Sequence, residues 1–160
     1  MKKVLVASLG LYFGILFFMP KDSLFFTLQK ELAKKNIFLT AQTSLTPSTL
    51  NLDEMKLYYG KLDIATAKTG AIYPFLFLNI AHIDDINLSL GNYTIDRVSA
   101  LHTLLHPLKI SLSGKSNFGS LDGAIDLARH ELKLYVESPT PDIKPYLRKD
   151  TQGYYFYAKF

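Results

Sequence analysis

The chain has 160 residues, no cysteine and a formal charge of +4 at pH 7. The lack of cysteine excludes a disulfide framework, a thiolate metal site and a thiol nucleophile. Two of the 18 basic residues are Lys2 and Lys3, leaving 16 against 14 acids. That balance does not make the concentrated basic face of a nucleic-acid binder.

The first element is Val4–Met19, sixteen residues without a charge, preceded by Lys2 and Lys3 and closed by Pro20, Lys21 and Asp22. As a helix it would span about 24 Å at ~1.5 Å per residue, short of a hydrocarbon layer of about 30 Å, so snorkelling lysines or a thin bilayer would make up the difference. A cleaved signal peptide needs small residues at its cleavage site, and Phe17-Phe18-Met19-Pro20 is bulky there. A buried core helix would have a polar face, and this stretch has none. An uncleaved signal-anchor fits best: residues 1–20 in the inner membrane, the N-terminus held in the cytoplasm by its lysines, and residues 21–160 exported as one periplasmic domain.

After Pro20, residues 22–36 read as a short helix. Asp22 or Ser23 can cap it, Leu24, Leu28 and Leu32 recur every four residues with Phe25 beside them, and Lys34, Lys35 and Asn36 suit its end. A helix covering one end of a sheet is preferred to one lying on a membrane surface. From Ile37 the period becomes two. Ile37, Leu39 and Ala41 alternate with Phe38, Thr40 and Gln42, and Leu45–Thr49 is a loop around Pro47. Leu50 and Leu52 begin a strand whose alternation breaks at Asp53-Glu54 and resumes at Met55, Leu57 and Tyr59, the pattern of a β-bulge. Leu62, Ile64 and Thr66 alternate next. Ile72–Ile80, interrupted by Pro74, reads as a strand or a short buried helix, residues 83–90 as an untidy strand, and Ile95–His106 stays ambiguous before Pro107.

The last third alternates most clearly. Leu108, Ile110 and Leu112 oppose Lys109, Ser111 and Ser113, and Gly114–Asn117 is expected to turn. Gly119, Leu121, Gly123, Ile125 and Leu127 oppose Phe118, Ser120, Asp122, Ala124 and Asp126. Leu132, Leu134 and Val136 oppose Glu131, Lys133, Tyr135 and Glu137. This is a three-strand antiparallel meander with one aliphatic and one polar face. Pro139, Pro141 and Pro145 bound a loop with room for a helical turn, and residues 154–160 read as a final aromatic strand. The fold class is therefore mainly β with one or two short helices.

Candidate chemistry is sparse. His102 and His106 stand at i and i+4, a helical metal-pair spacing, but no Glu adjoins His102 and Pro107 follows at once. Asp84 and Asp85 would point to opposite faces of a strand. Asp122 and Asp126 fall on the meander's polar side, and the unbroken alternation around Asp122-Gly123 argues for strand over hairpin turn. No phosphate-binding glycine loop and no Gly-x-Ser-x-Gly elbow occurs. No catalytic, cofactor or metal residue is assigned.

The order of features resembles a family. The anchor, the helix ending near Lys35, the strand Ile37–Thr43 and Leu50-Asn-Leu-Asp-Glu-Met-Lys-Leu look like the start of AsmA-like envelope proteins, more narrowly of the type II secretion system protein N family. Residues 118–127 followed by Glu131-Leu132-Lys133-Leu134 are similar to the Gly-x-Leu-x-Gly strands of those proteins. The resemblance implies an inner-membrane protein with a curved periplasmic β-sheet, contacting secretion-system or envelope proteins or moving lipid. From the residues themselves, an aliphatic sheet face must be covered by something. A helix or second sheet is the ordinary cover. The sharper expectation is a trough for phospholipid tails lined by Ile110, Leu112, Leu121, Ile125, Leu132, Leu134 and Val136.

Overall fold

Alternation with period two, sustained from Ile37 to the end of the chain, produces one antiparallel sheet. The computed structural model describes residues 7–8, 10–12, 14, 21–75, 77–89 and 91–160. Among these, helix α1 (Lys21–Ala33) precedes ten strands. They are β1 (Ile37–Leu45), β2 (Leu50–Tyr59), β3 (Leu62–Pro74), β4 (Leu78–Leu88), β5 (Thr94–Thr103), β6 (Lys109–Ser116), β7 (Gly119–Asp126), β8 (Glu131–Glu137), β9 (Arg148–Asp150) and β10 (Gly153–Lys159). Each of β1 to β8 pairs with its sequence neighbour. β10 inserts between β8 and β9, and a single 3₁₀ turn, Lys144–Tyr146, lies in the connection. The expected anchor Val4–Met19 falls largely outside the described residues. No helix among the described residues is long and apolar enough to cross a membrane.

Helix α1 stops where the sequence lets it: Asn36 adopts the left-handed conformation (φ 58°) that ends helices. It covers one end of the sheet, as expected, but through a partly different stripe. Phe25 is buried, Gln29 Nε2 donates to the Leu39 carbonyl (2.8 Å), and Leu32 and Ala33 are half-buried, whereas Leu28 is exposed. Of the expected stripe, Phe25 and Leu32 join the contact line and Leu28 does not, because a helix lying on a twisted sheet selects positions 25, 29, 32 and 33.

Neighbouring strands rotate by about 20–25°, so nine pairings accumulate roughly half a turn. The sheet curls accordingly. Lys35, just past α1, places its ammonium 5.4 Å from the ring centre of Phe160, just past β10. The curl stays open, since β1 and β10 share no hydrogen-bond ladder.

The expected bulge is present and is part of a larger device. Glu54 in β2 (φ 50°) and Asp85 in β4 (φ 54°) are both left-handed, and both stand opposite Lys68 of β3 in the register. One residue slips in each strand at the same level. Leu50 and Leu52 before the slip and Met55 and Leu57 after it therefore stay on one face. Gln42 Nε2 donates to Glu54 (2.7 Å), and Lys68 lies 4.0 Å from Asp85, so side chains hold the slipped residues at the surface.

Elsewhere the structure resolves or corrects the reading of the sequence. Ile72–Ile80 is neither one strand nor a helix: β3 ends at Pro74 and β4 begins at Leu78. The ambiguous stretch before Pro107 is β5. The turn expected over Gly114–Asn117 is only Asn117-Phe118, with Gly114 to Ser116 retained in β6. Phe118 leaves the polar face because it sits in that turn, where it packs on Leu121 and Val136. Asp122-Gly123 lies within strand β7, in full register with β6 and β8.

Among the described residues the large buried apolar side chains gather in two clusters. Under α1, Phe25, Leu50, Leu52 and Met55 are buried with Leu39, Ala41, Ala67, Ile72 and Ile83 around them. Under the loop that follows β8, Phe118, Leu121 and Val136 are buried with Tyr93, Ile95, Leu134, Ile143 and Leu147. Two glycines make the second cluster possible. Gly119 (φ 141°) has a backbone that side chains avoid, and a Cβ there would meet the Glu137 carbonyl at 2.5 Å. A Cβ on Gly123 would run into the Lys133 carbonyl.

Two stability measurements check this account. Phe25→Ala removes an α1 side chain at the centre of the first cluster and is expected to cost about 3–5 kcal/mol in urea unfolding. Gly123→Val forces β7 and β8 apart and is expected to cost about 1–3 kcal/mol. A Gly123→Val protein with an unchanged midpoint would refute the close approach.

Candidate functional site

Every second residue of the meander contributes to one apolar face, and the register shows how far it runs. Ile72, Ala81, Ala100, Leu112, Gly123, Leu134 and Phe156 form one cross-strand row from β3 to β10. Leu52, Gly70, Ile83, Val98, Gly114, Leu121 and Val136 form the row beside it. Ile110, Ile125, Leu132 and Ala158 form a third, nearer the β5–β6 turn.

All seven residues proposed from the sequence as a lining lie on this face, and they divide into two sets. Leu121 and Val136 are buried in the second cluster, with Leu134 packed against them. Ile110, Leu112, Ile125 and Leu132 are half-buried and belong to neither cluster. The middle of the apolar face thus lies between two covers, α1 on one side and the loop at Pro139–Leu147 on the other.

A concavity of about 710 Å³ opens on the opposite, polar face. Small side chains of β5 to β7 (Ser99, Ser111, Ser113 and Ala124) form its floor, and Lys109, Asp122, Asp126, Arg129, Glu131 and Lys133 form much of its wall. The wall's charges are largely answered from within the chain. The Asp126 carboxylate accepts from the Arg129 backbone N–H (2.9 Å) and lies 3.9 Å from its guanidinium. Asp122 and Asp126 lie on this side, as the alternation predicts, among bases rather than as a carboxylate pair.

At the edge of the concavity is a cluster that the sequence did not advertise. Lys133 Nζ donates to Asp150 (2.8 Å) and lies 4.7 Å and 4.3 Å from the ring centres of Tyr135 and Tyr155. The Tyr135 hydroxyl donates to the same Asp150 oxygen (3.1 Å), and the backbone N–H groups of Gln152 and Gly153 donate to its other oxygen. Tyr157 donates to Glu131 (2.8 Å), with Arg148 over its ring. Hydrogen bonding to Lys133 lowers the Asp150 pKa, and hydrogen bonds from Lys133 to Asp150 and Tyr135 raise the lysine's. The Glu131 acceptor holds the Tyr157 phenol protonated by raising its pKa. Lys133 and Tyr135 look like ordinary polar-face residues in the sequence. Only β10 and β9, folding back beside β8, bring Tyr155 and Asp150 to them.

The remaining candidates have structural partners. His102 is in strand β5, not in a helix; its ring meets Asn79 Nδ2 (3.3 Å) and the Pro107 carbonyl (3.0 Å), which ties down the β5–β6 turn. His106 lies in that turn, so the helical i, i+4 relation between the two does not exist. Asp84 takes Arg97 and Asp85 takes Lys68, so each carboxylate has its own cation. Among the described residues no group of three or more His, Asp or Glu side chains is disposed to hold a metal ion.

The Asp150 corner makes a pH prediction. Its lowered pKa means the stability it contributes is complete above the ordinary aspartate range and lost as pH falls through the lowered value. The raised Lys133 contributes below the ordinary lysine range and fails only in strong alkali. The melting temperature is expected to hold across neutral pH and to fall below about pH 4. Asp150→Asn should flatten that acid limb, and thermal melts in which both proteins lose stability in parallel would contradict the assignment.

Comparison with known proteins adds no relative: no family model, no curated protein and no solved structure matches the chain.

Proposed function

We propose that this chain is a non-enzymatic, inner-membrane-anchored periplasmic protein of the type II secretion or AsmA-like class, working through its one-sided apolar sheet. The observation that carries this reading is the half-buried middle of the apolar face, which belongs to neither buried cluster. Ile110, Leu112, Ile125 and Leu132 form a contiguous aliphatic surface that neither α1 nor the Pro139–Leu147 loop joins to a buried cluster. A sheet layer with an aliphatic face is stabilised by a second layer. The occupant best suited to a strip flanked by two covers is a flexible hydrocarbon chain, and each CH₂ buried there would contribute about 0.8 kcal/mol. The resemblance to AsmA-like strands and the uncharged Val4–Met19 support the same compartment and ligand.

A second reading has its own support. β1 is a sheet edge nine residues long, with Phe38 and Leu45 exposed, so its outer N–H and C=O groups can receive a strand from a secretion-system or envelope partner.

Photo-cross-linking in cells separates the readings, because adjacent strand positions face opposite ways. With benzoylphenylalanine at Leu112 or Ile125, phospholipid adducts are expected by mass spectrometry, whereas Ser111 and Ser113 should yield none. Protein adducts concentrated at Thr40 and Gln42 of β1, with no lipid at Leu112, would favour strand addition. Equal lipid labelling at Leu112 and Ser113 would rule out a one-sided lipid site.

A further inference from the structure

We infer that the end of the sheet carrying the β3–β4 and β5–β6 turns is a membrane-contact surface, its leucine and phenylalanine side chains entering the lipid interface beside the N-terminal segment. In an antiparallel meander these two turns lie at the same end, and here they are joined: the Leu104 N–H donates to the Phe77 carbonyl at 3.2 Å. The β7–β8 turn joins them through the Leu127 N–H on the Leu108 carbonyl at 2.8 Å. Turns ordinarily carry polar residues, yet Leu105 is 87% exposed, Phe77 63%, Leu108 58% and Leu104 53%. At the other end, Gly60-Lys61 between β2 and β3 and Gly91-Asn92 between β4 and β5 follow the ordinary rule, and Phe118 in the β6–β7 turn is buried.

Exposed apolar side chains gathered on adjoining hairpin tips mark an interaction surface. Three observations select a bilayer as its occupant. Tyr12, within the uncharged stretch Val4–Met19, stacks on Phe77 with ring centres 5.8 Å apart and planes 12° from parallel. The tips therefore adjoin the segment read as the membrane anchor. The β3–β4 and β5–β6 turns contain no acid that an anionic lipid surface would repel, and the nearby Asp126 is answered by Arg129. The loop is also braced from beneath by the His102 ring on the Pro107 carbonyl, so Leu105 is presented by a held turn.

The inference rests on the tether within the proposed function but not on lipid occupying the apolar face, and its test separates them. The chain has no cysteine, so single cysteines at Leu105 and Leu62 can each carry an environment-sensitive fluorophore in the full chain. Leu62 is likewise apolar and exposed (70%) but begins β3 at the opposite end of the sheet. The labelled proteins are reconstituted into phosphatidylethanolamine and phosphatidylglycerol vesicles, with and without lipids spin-labelled near the headgroup. Co-flotation with vesicles, a blue-shifted Leu105 probe quenched by the spin label, and an unquenched Leu62 probe are the expected result. Flotation with a Leu105 probe left in water would keep the tether and overturn the contact surface. A blue-shifted Leu105 probe that spin-labelled lipid does not quench would mean a protein contact instead and would equally overturn it. Protein that fails to float would overturn both.

Discussion

The controlling constraint is that a β-strand presents its side chains alternately, so a meander with matched registers must collect its apolar residues on one side. Here the matching holds across nine consecutive pairings. The chain spends most of its length building a single layer, and a single layer covers only part of what it collects. Burial is accordingly concentrated at two places, where α1 and the Pro139–Leu147 loop lie on the sheet. The aliphatic strip between them is a consequence of this architecture, and it is where the proposed lipid site lies.

Maintaining one apolar face across so many strands requires local exceptions. The slipped residues Glu54, Lys68 and Asp85 interrupt the alternation at one level of β2, β3 and β4, and because all three strands slip together their apolar sets stay in phase. Charged residues suit these positions because they remain at the surface, where Gln42 and the Lys68–Asp85 pair hold them. The glycines of β7 serve the opposite purpose: they let backbones approach where a side chain would separate them. Both devices keep the sheet continuous while it curls.

The two faces and the two ends of this sheet differ in chemistry. The aliphatic face suits hydrocarbon. The polar face neutralises its own charges, through Asp126 with Arg129 and Lys133 with Asp150, and so presents a wall with little net demand for a charged ligand. One end carries polar turns, and the other carries exposed leucines and Phe77 against Tyr12. A sheet that is asymmetric in both directions is suited to standing on a membrane and holding something greasy above it, which unites the proposed function with the proposed contact surface.

Sequence alone determined the features that depend on neighbours along the chain. Alternation identified the strands of the last third and the aliphatic face through Ile110, Leu112, Ile125 and Leu132. The broken alternation at Asp53-Glu54 announced the bulge, and the strand reading of Asp122-Gly123 followed from unbroken alternation around it. What depends on neighbours in space was decided only by the tertiary structure. The contact line of α1 is chosen by the sheet it crosses, so the expected stripe caught Phe25 and Leu32 but not Gln29 or Ala33. Leu121 and Val136 separate from the rest of the lining because the loop after β8, carrying Ile143 and Leu147, folds over them. Lys133, Tyr135, Tyr155 and Asp150 meet because β10 inserts between β8 and β9, and the exposed leucines adjoin Phe77 because two separate hairpins end side by side. Such contacts leave no periodic trace in a sequence, since hydrogen bonding and chain reversal bring together residues whose spacing carries no pattern.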